Sequence, residues 1–188
     1  MNLTFSDRIL ARILLPFIPK FITPNMITWF RFITLPFVAY LLWIENYQTG
    51  LILFFLSAFS DAVDGALART RNQVTEWGKT FDPLADKILI GISVIILVSK
   101  FVSPFLATTI VLIELFLIGG AYYRKHVEKI PIQAEVSGKV KMVLQSFGVI
   151  FILLFLLTGI PLFLTTAVYL LYLSVIFAII SLVVYKSI

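Results

Sequence analysis

Six long apolar runs dominate this chain of 188 residues, at about 26–44, 50–70, 84–102, 104–123, 140–158 and 162–185. A helix crossing the hydrocarbon core of a bilayer needs about 20 mostly apolar residues, and each run comes close to that length. Apolar residues make up 60% of the chain and charged ones 13%, with a mean hydropathy of +1.03. A soluble domain carries about a quarter charged residues, so the expected class is an all-α integral membrane protein. The chain contains no cysteine, which removes disulfides, thiolate nucleophiles and Cys-based metal sites together. A single histidine, His126, excludes a multi-His centre and reads as an ordinary surface residue.

Local signals mark several boundaries. Thr23-Pro24-Asn25 places a capping hydroxyl and a first-turn proline ahead of the first run. Ser103-Pro104 and Gly159-Ile160-Pro161 read as tight turns between the third and fourth and the fifth and sixth runs. Alternating the loops puts fourteen of the fifteen Lys and Arg on one side, with only Lys100 opposite. By the positive-inside rule that side is cytoplasmic, so both termini are cytoplasmic and an even number of spans is expected. A net charge of +5 then serves topology and anionic headgroups rather than nucleic acid.

Residues 1–22 are expected to form an amphipathic segment on the cytoplasmic leaflet. Leu3, Ile9, Leu10, Ile13 and Leu14 recur at near-helical spacing around Asp7, Arg8 and Arg12, and Pro16 and Pro19 end the pattern. A cleaved signal peptide would need an unbroken apolar stretch and a small-residue cleavage site. Residues 23–188 would form a six-helix bundle, making residues 1–188 a single membrane domain without internal repeats.

Charge inside the apolar runs is scarce, and its placement is informative. Asp61 and Asp64 stand three apart near the end of the second run, Asp82 and Asp86 four apart at the start of the third. Each pair lies on one helical face. A short cytoplasmic turn between antiparallel neighbours lets all four carboxylates converge. Four anions in one pocket require neutralisation, and hard oxygen ligands select Mg²⁺ or Mn²⁺, with Ca²⁺ less well suited. Gly65 and Gly78 stand beside the acids, where a helix tolerates glycine at a cost of about 1 kcal/mol, so close approach to the backbone is expected there. Ala58, Ala62 and Ala66 form a small-residue stripe fit for a neighbouring helix. Arg69 can offer a bidentate fork to phosphate. Metals, an arginine and two bare backbone patches describe a nucleoside diphosphate site.

The segment Asp61-Ala62-Val63-Asp64-Gly65-Ala66-Leu67-Ala68-Arg69, followed by Gly78, Asp82 and Asp86, resembles the complete CDP-alcohol phosphotransferase signature, D-x2-D-G-x2-A-R-x8-G-x3-D-x3-D. All eight fixed positions are filled across 26 residues. The resemblance implies a six-helix fold with an amphipathic N-terminus and a homodimer. It implies that Asp61, Asp64, Asp82 and Asp86 hold a two-ion Mg²⁺ or Mn²⁺ site. Asp61, Gly65, Arg69 and Gly78 would bind the CDP moiety. Asp86 would be the general base for the acceptor hydroxyl, which attacks the β-phosphorus of a CDP-linked lipid and releases CMP.

The acceptor is read from two further stretches. Pro24-Asn25-Met26-Ile27-Thr28-Trp29-Phe30-Arg31 resembles the Pro-Asn-x2-Thr-x2-Arg entry of phosphatidylglycerophosphate synthases and of bacterial cardiolipin synthases of this fold. Gly138-Lys139-Val140-Lys141, with Gln145, resembles the Gly-Lys-x-Lys-x3-Gln stretch of phosphatidylglycerophosphate synthases. Arg31, Arg124, Lys139 and Lys141 are the candidates for an acceptor phosphate, and CDP-diacylglycerol and sn-glycerol 3-phosphate are the expected substrates. Two departures weigh against that acceptor: Ile113-Glu114 replaces an Arg-Glu pair, and Met142 replaces a Thr. Glu114, an acid in an apolar run, should face the interior and pair with a basic neighbour. Transfer to phosphatidylglycerol, giving cardiolipin, is the alternative within the class, and inositol phosphate or serine are further acceptors. A cation transporter is the alternative outside it, but it would call for midplane acids and repeated halves and leaves Arg69 and both glycines without a task.

Overall fold

The computed structural model describes residues 15, 18, 19, 21–71, 73–123 and 136–184. Among these the only regular elements are helices: α1 Pro24–Trp43, α2 Tyr47–Thr70, α3 Glu76–Ser93, α4 Pro104–Tyr123, α5 Val136–Thr158 and α6 Pro161–Val184. Helix α3 continues through a π-helical turn, Val94–Val98, into a last α-helical turn, Ser99–Phe101. The chain divides into two compact units, Met1–Leu89 and Ile90–Ile188, with the boundary inside α3.

In the first unit, α1 starts where the sequence expects it. Thr23 accepts a hydrogen bond from the Met26 N–H at 3.4 Å and Pro24 opens the helix. Its inner face carries Thr28, Arg31, Leu35, Val38 and Leu42, all buried, while Trp29, Ile33, Phe37 and Tyr40 remain exposed. The link to α2 is three residues long. Glu45 adopts φ 64° there, and the Asn46 side chain caps α2 by accepting from the Thr49 N–H at 3.3 Å. The helices run antiparallel. Thr34 donates to Ser57 across them at 3.2 Å, and one turn earlier on α1 Arg31 meets Asp61, one turn later on α2. The expected alanine stripe is split: Ala66 is buried, while Ala62 is exposed and lines a cavity.

In the second unit, the π-helical turn packs against α4 and α5, α5 packs along α6, and α4 also touches α6. Val94, Leu97 and Val98 of that turn are fully buried, as are Val149, Ile152 and Leu153 of α5 and Ala167 and Leu171 of α6. Gly148 lets α5 and α6 close together, since a Cβ there would stand 2.9 Å from Leu171 Cγ and Cδ2. The α5–α6 turn uses Gly159 at φ +70°, a left-handed conformation that a Cβ opposes, and Pro161 opens α6.

Five of these helices, α1, α2, α4, α5 and α6, are long and apolar enough to cross a membrane, and the protein is a multi-pass membrane protein. The sixth expected span does not join them on composition. Asp82, Asp86 and Lys87 fall in α3 and Lys100 in its extension, so no stretch of it is free enough of charge. The amphipathic helix expected over residues 1–22 lies almost wholly outside the described residues. Arg71, just past α2, donates to the carbonyls of Ile18 at 2.8 Å, Ile22 at 3.0 Å and Pro19 at 3.4 Å. This fork fastens the approach to α1 onto the end of α2.

Candidate active site

The residues of the signature assemble within the first unit. Asp61 and Asp64 stand on one face of α2, Asp82 and Asp86 on one face of α3, and α1 closes the group with Arg31. The Arg31 guanidinium is buried at 1% exposure. It donates to Asp61 at 2.8 Å and to Asp86, and lies 3.5 Å from Asp64. Asp82 is held separately by the Thr28 hydroxyl, which donates to its Oδ1 at 2.6 Å. Asp64 is buried at 2%, whereas Asp61 is 41% exposed. One carboxylate is therefore enclosed and the other open, both beside the same space.

That space is a cavity of about 380 Å³, lined by Asp61, Asp64, Gly65, Arg69, Gly78 and Asp82 together with Pro24, Asn25 and the 73–75 turn. Both glycines keep it open. A Cβ on Gly65 would stand 3.1 Å from an Arg69 guanidinium nitrogen. One on Gly78 would stand 3.2 Å from both Asp82 Oδ2 and Thr75 Oγ1. Thr75 caps α3, accepting from the Gly78 N–H at 3.0 Å, and its hydroxyl donates to the Asn25 side-chain oxygen at 2.9 Å. The wall that joins α1 to α3 thus ends in polar atoms beside the signature glycine. Behind it, Trp77 stacks on Trp29 and on Phe81, with ring centroids 5.5 and 4.6 Å apart.

The donor set of carboxylates plus one hydroxyl suits a hard divalent cation. Among the described residues, however, no three acidic or histidine side chains stand at ion-binding geometry. The Arg31 guanidinium stands among three of the four carboxylates. The sequence expectation for Arg31 was a phosphate; its partners here are the aspartates. Of the other basic candidates, Arg124 lies outside the described residues. Lys139 and Lys141 share α5 but are not brought together: Lys139 is exposed and Lys141 is buried at 3%. Two residues along a helix turn about 200°. Lys141 forms an ion pair with Glu114 of α4, the pairing expected for that acid, and Gln145 is buried one turn further on.

The sequence assigns Thr75 no task, and Asn25 and Thr28 none beyond their place in the Pro-Asn-x2-Thr-x2-Arg stretch. Two of the three carry a local signal. Thr28 precedes Arg31 by one helical turn, and Thr75 stands three residues before Gly78, at the spacing of a helix cap.

The family model for CDP-alcohol phosphatidyltransferases matches residues 21–182. The chain belongs to the CDP-alcohol phosphatidyltransferase family. A CDP-diacylglycerol–glycerol-3-phosphate 3-phosphatidyltransferase of Rickettsia felis is 34% identical over 134 residues, 70% of this chain and 74% of its own. An enzyme of the same name from Rickettsia typhi is 33% identical over 134 residues, 70% of this chain and 75% of its own. One from Aquifex aeolicus is 43% identical over 65 residues, 35% and 36% of the two chains. As a member of this family the chain is an enzyme of phospholipid synthesis, embedded in a membrane.

Proposed function

We propose that the chain transfers a phosphatidyl group from CDP-diacylglycerol to sn-glycerol 3-phosphate, giving phosphatidylglycerophosphate and CMP. The observation that carries this reading is the cavity bounded by Asp61, Asp64, Gly65, Arg69, Gly78 and Asp82, with the relatives' shared activity naming the donor and acceptor. In this reading Arg69 and the bare backbone at Gly65 and Gly78 receive the diphosphate and the nucleoside, with Asp61 beside them. Asp61, Asp64, Asp82 and Asp86 would hold two divalent ions, which when bound would stabilise charge on the displaced phosphate. Asp86 takes the proton of the acceptor hydroxyl. The hydroxyl oxygen forms its bond to the β-phosphorus as the bond from that phosphorus to the CMP oxygen breaks, and CMP leaves with the electron pair.

The fuller architecture belongs to the same proposal: six spans, with α3 and its extension as the third, both termini cytoplasmic, an amphipathic segment before α1, and a homodimer. The one-sided basic residues support it, since they call for an even number of spans. Arg124, Lys139 and Lys141 are the proposed partners of the acceptor phosphate. Proteoliposomes given CDP-diacylglycerol with either glycerol 3-phosphate or phosphatidylglycerol test the acceptor. CMP release should accompany glycerol 3-phosphate. Release only with phosphatidylglycerol would move the chain to the cardiolipin-forming reaction.

A further inference from the structure

The proposed chemistry leaves the position of Arg31 unused. That residue comes from α1, outside the signature, and its guanidinium touches carboxylates on both signature helices: Asp61 and Asp64 on α2 and Asp86 on α3. Arginine carries its charge at any accessible pH, so it is a permanent counter-cation at the centre of three acids. It is also an incomplete one. Of the four aspartates, it reaches three, and Asp82 is held by Thr28 instead. Among the described residues, the buried Arg31 Nε has no hydrogen-bond partner, although a guanidinium fixed for its own sake normally satisfies its donors. The carboxylates are therefore neutralised in part by a group that does not fully match them.

We propose that Arg31 holds the carboxylate cluster as a stand-in cation and that divalent ions load the site by displacing it. The proposal rests on the metal-dependent reading of the four aspartates. The Arg31 fork takes Oδ1 of Asp61, Oδ2 of Asp64 and Oδ1 of Asp86, and a small hard cation coordinated by those same oxygens would compete with it. Loading is then an exchange of one cation for another rather than the filling of a bare anionic pocket. Because Arg31 stands on α1, the exchange moves one side chain and leaves the signature helices where they are. It also keeps α1, α2 and α3 tied together in the protein without ions, where bare carboxylates would repel.

The test is Mn²⁺ binding to the full chain in detergent after stripping with EDTA, read from loss of the free-ion electron paramagnetic resonance signal, alongside thermal unfolding. Arg31→Gln should bind Mn²⁺ at least tenfold more tightly than the parent. It should unfold at a lower temperature without metal and regain most of that loss when Mn²⁺ is added. Arg31→Lys separates displacement from simple charge repulsion. It keeps the positive charge but replaces the planar five-donor fork with a compact ammonium on a shorter side chain, which cannot reproduce the same set of contacts, so Mn²⁺ should again bind more tightly, by a smaller factor. This variant carries the test if Arg31→Gln does not fold. Parent-like Mn²⁺ affinity in Arg31→Lys would overturn the exchange while leaving the metal site standing. No Mn²⁺ binding in the parent or either variant would overturn the metal reading and the exchange with it.

Discussion

At the scale of the residue, the aspartates differ in what surrounds them, and their roles should separate accordingly. Asp86 touches Arg31 and is the proposed base. Asp86→Asn keeps the side chain's shape and removes the proton acceptor, so turnover should fall about 100-fold or more, within the range for general-base loss. Binding of CDP-diacylglycerol, measured by equilibrium titration, should change much less; near-parental turnover would place the base elsewhere. Activity should vanish in EDTA and return with Mg²⁺ or Mn²⁺, and full turnover in chelator would remove the ions from the mechanism. The Lys141–Glu114 pair makes a prediction about stability. Removing one partner of a buried ion pair strands the other charge at a cost of about 3–5 kcal/mol. Lys141→Met should therefore lower the unfolding temperature strongly, and adding Glu114→Leu should restore much of the loss. A double variant no more stable than the single one would show that the pair is not the cause.

At the scale of the element, apolar length and turn chemistry made most of the helices legible in the sequence. Thr23, Ser103 and Pro161 mark helix starts, and Gly159 marks a turn that only a residue tolerant of positive φ serves well. The acids were legible too, because i, i+3 and i, i+4 spacing fixes a shared face without knowledge of the fold. The partners of those acids were not legible. Arg31 and Thr28 lie 30 residues or more from the groups they touch, and spacing within one helix carries no information about its neighbour. Lys139 and Lys141 show the reverse case: adjacent in a motif, they diverge as soon as α5 is helical at that point. The π-helical turn after α3 also escaped, since Val94–Val98 reads simply as apolar. Helix pairing itself is testable at Gly148. Gly148→Leu should force α5 and α6 apart and cost about 1–3 kcal/mol, the usual penalty for overpacking. An unchanged unfolding temperature in detergent would mean that the two helices do not pack there as described.

At the scale of the whole molecule, the chain is a membrane-embedded transferase, and the proposed chemistry stands at the C-terminal end of α2 and on α3. Accessibility tests the orientation. Tags at either terminus should be reached only from the cytoplasmic side and a reporter at Glu45–Asn46 only from outside, and any exchange of sides would break the six-span topology. The central claim is that the acceptor's own hydroxyl oxygen attacks the lipid phosphorus. It is tested most directly with glycerol 3-phosphate carrying ¹⁸O in its primary hydroxyl, given to the enzyme with CDP-diacylglycerol and followed by mass spectrometry of both products. The account predicts one ¹⁸O in every phosphatidylglycerophosphate formed and none in an equimolar yield of CMP. Unlabelled lipid product, label in CMP, or no turnover of this acceptor at all would contradict it.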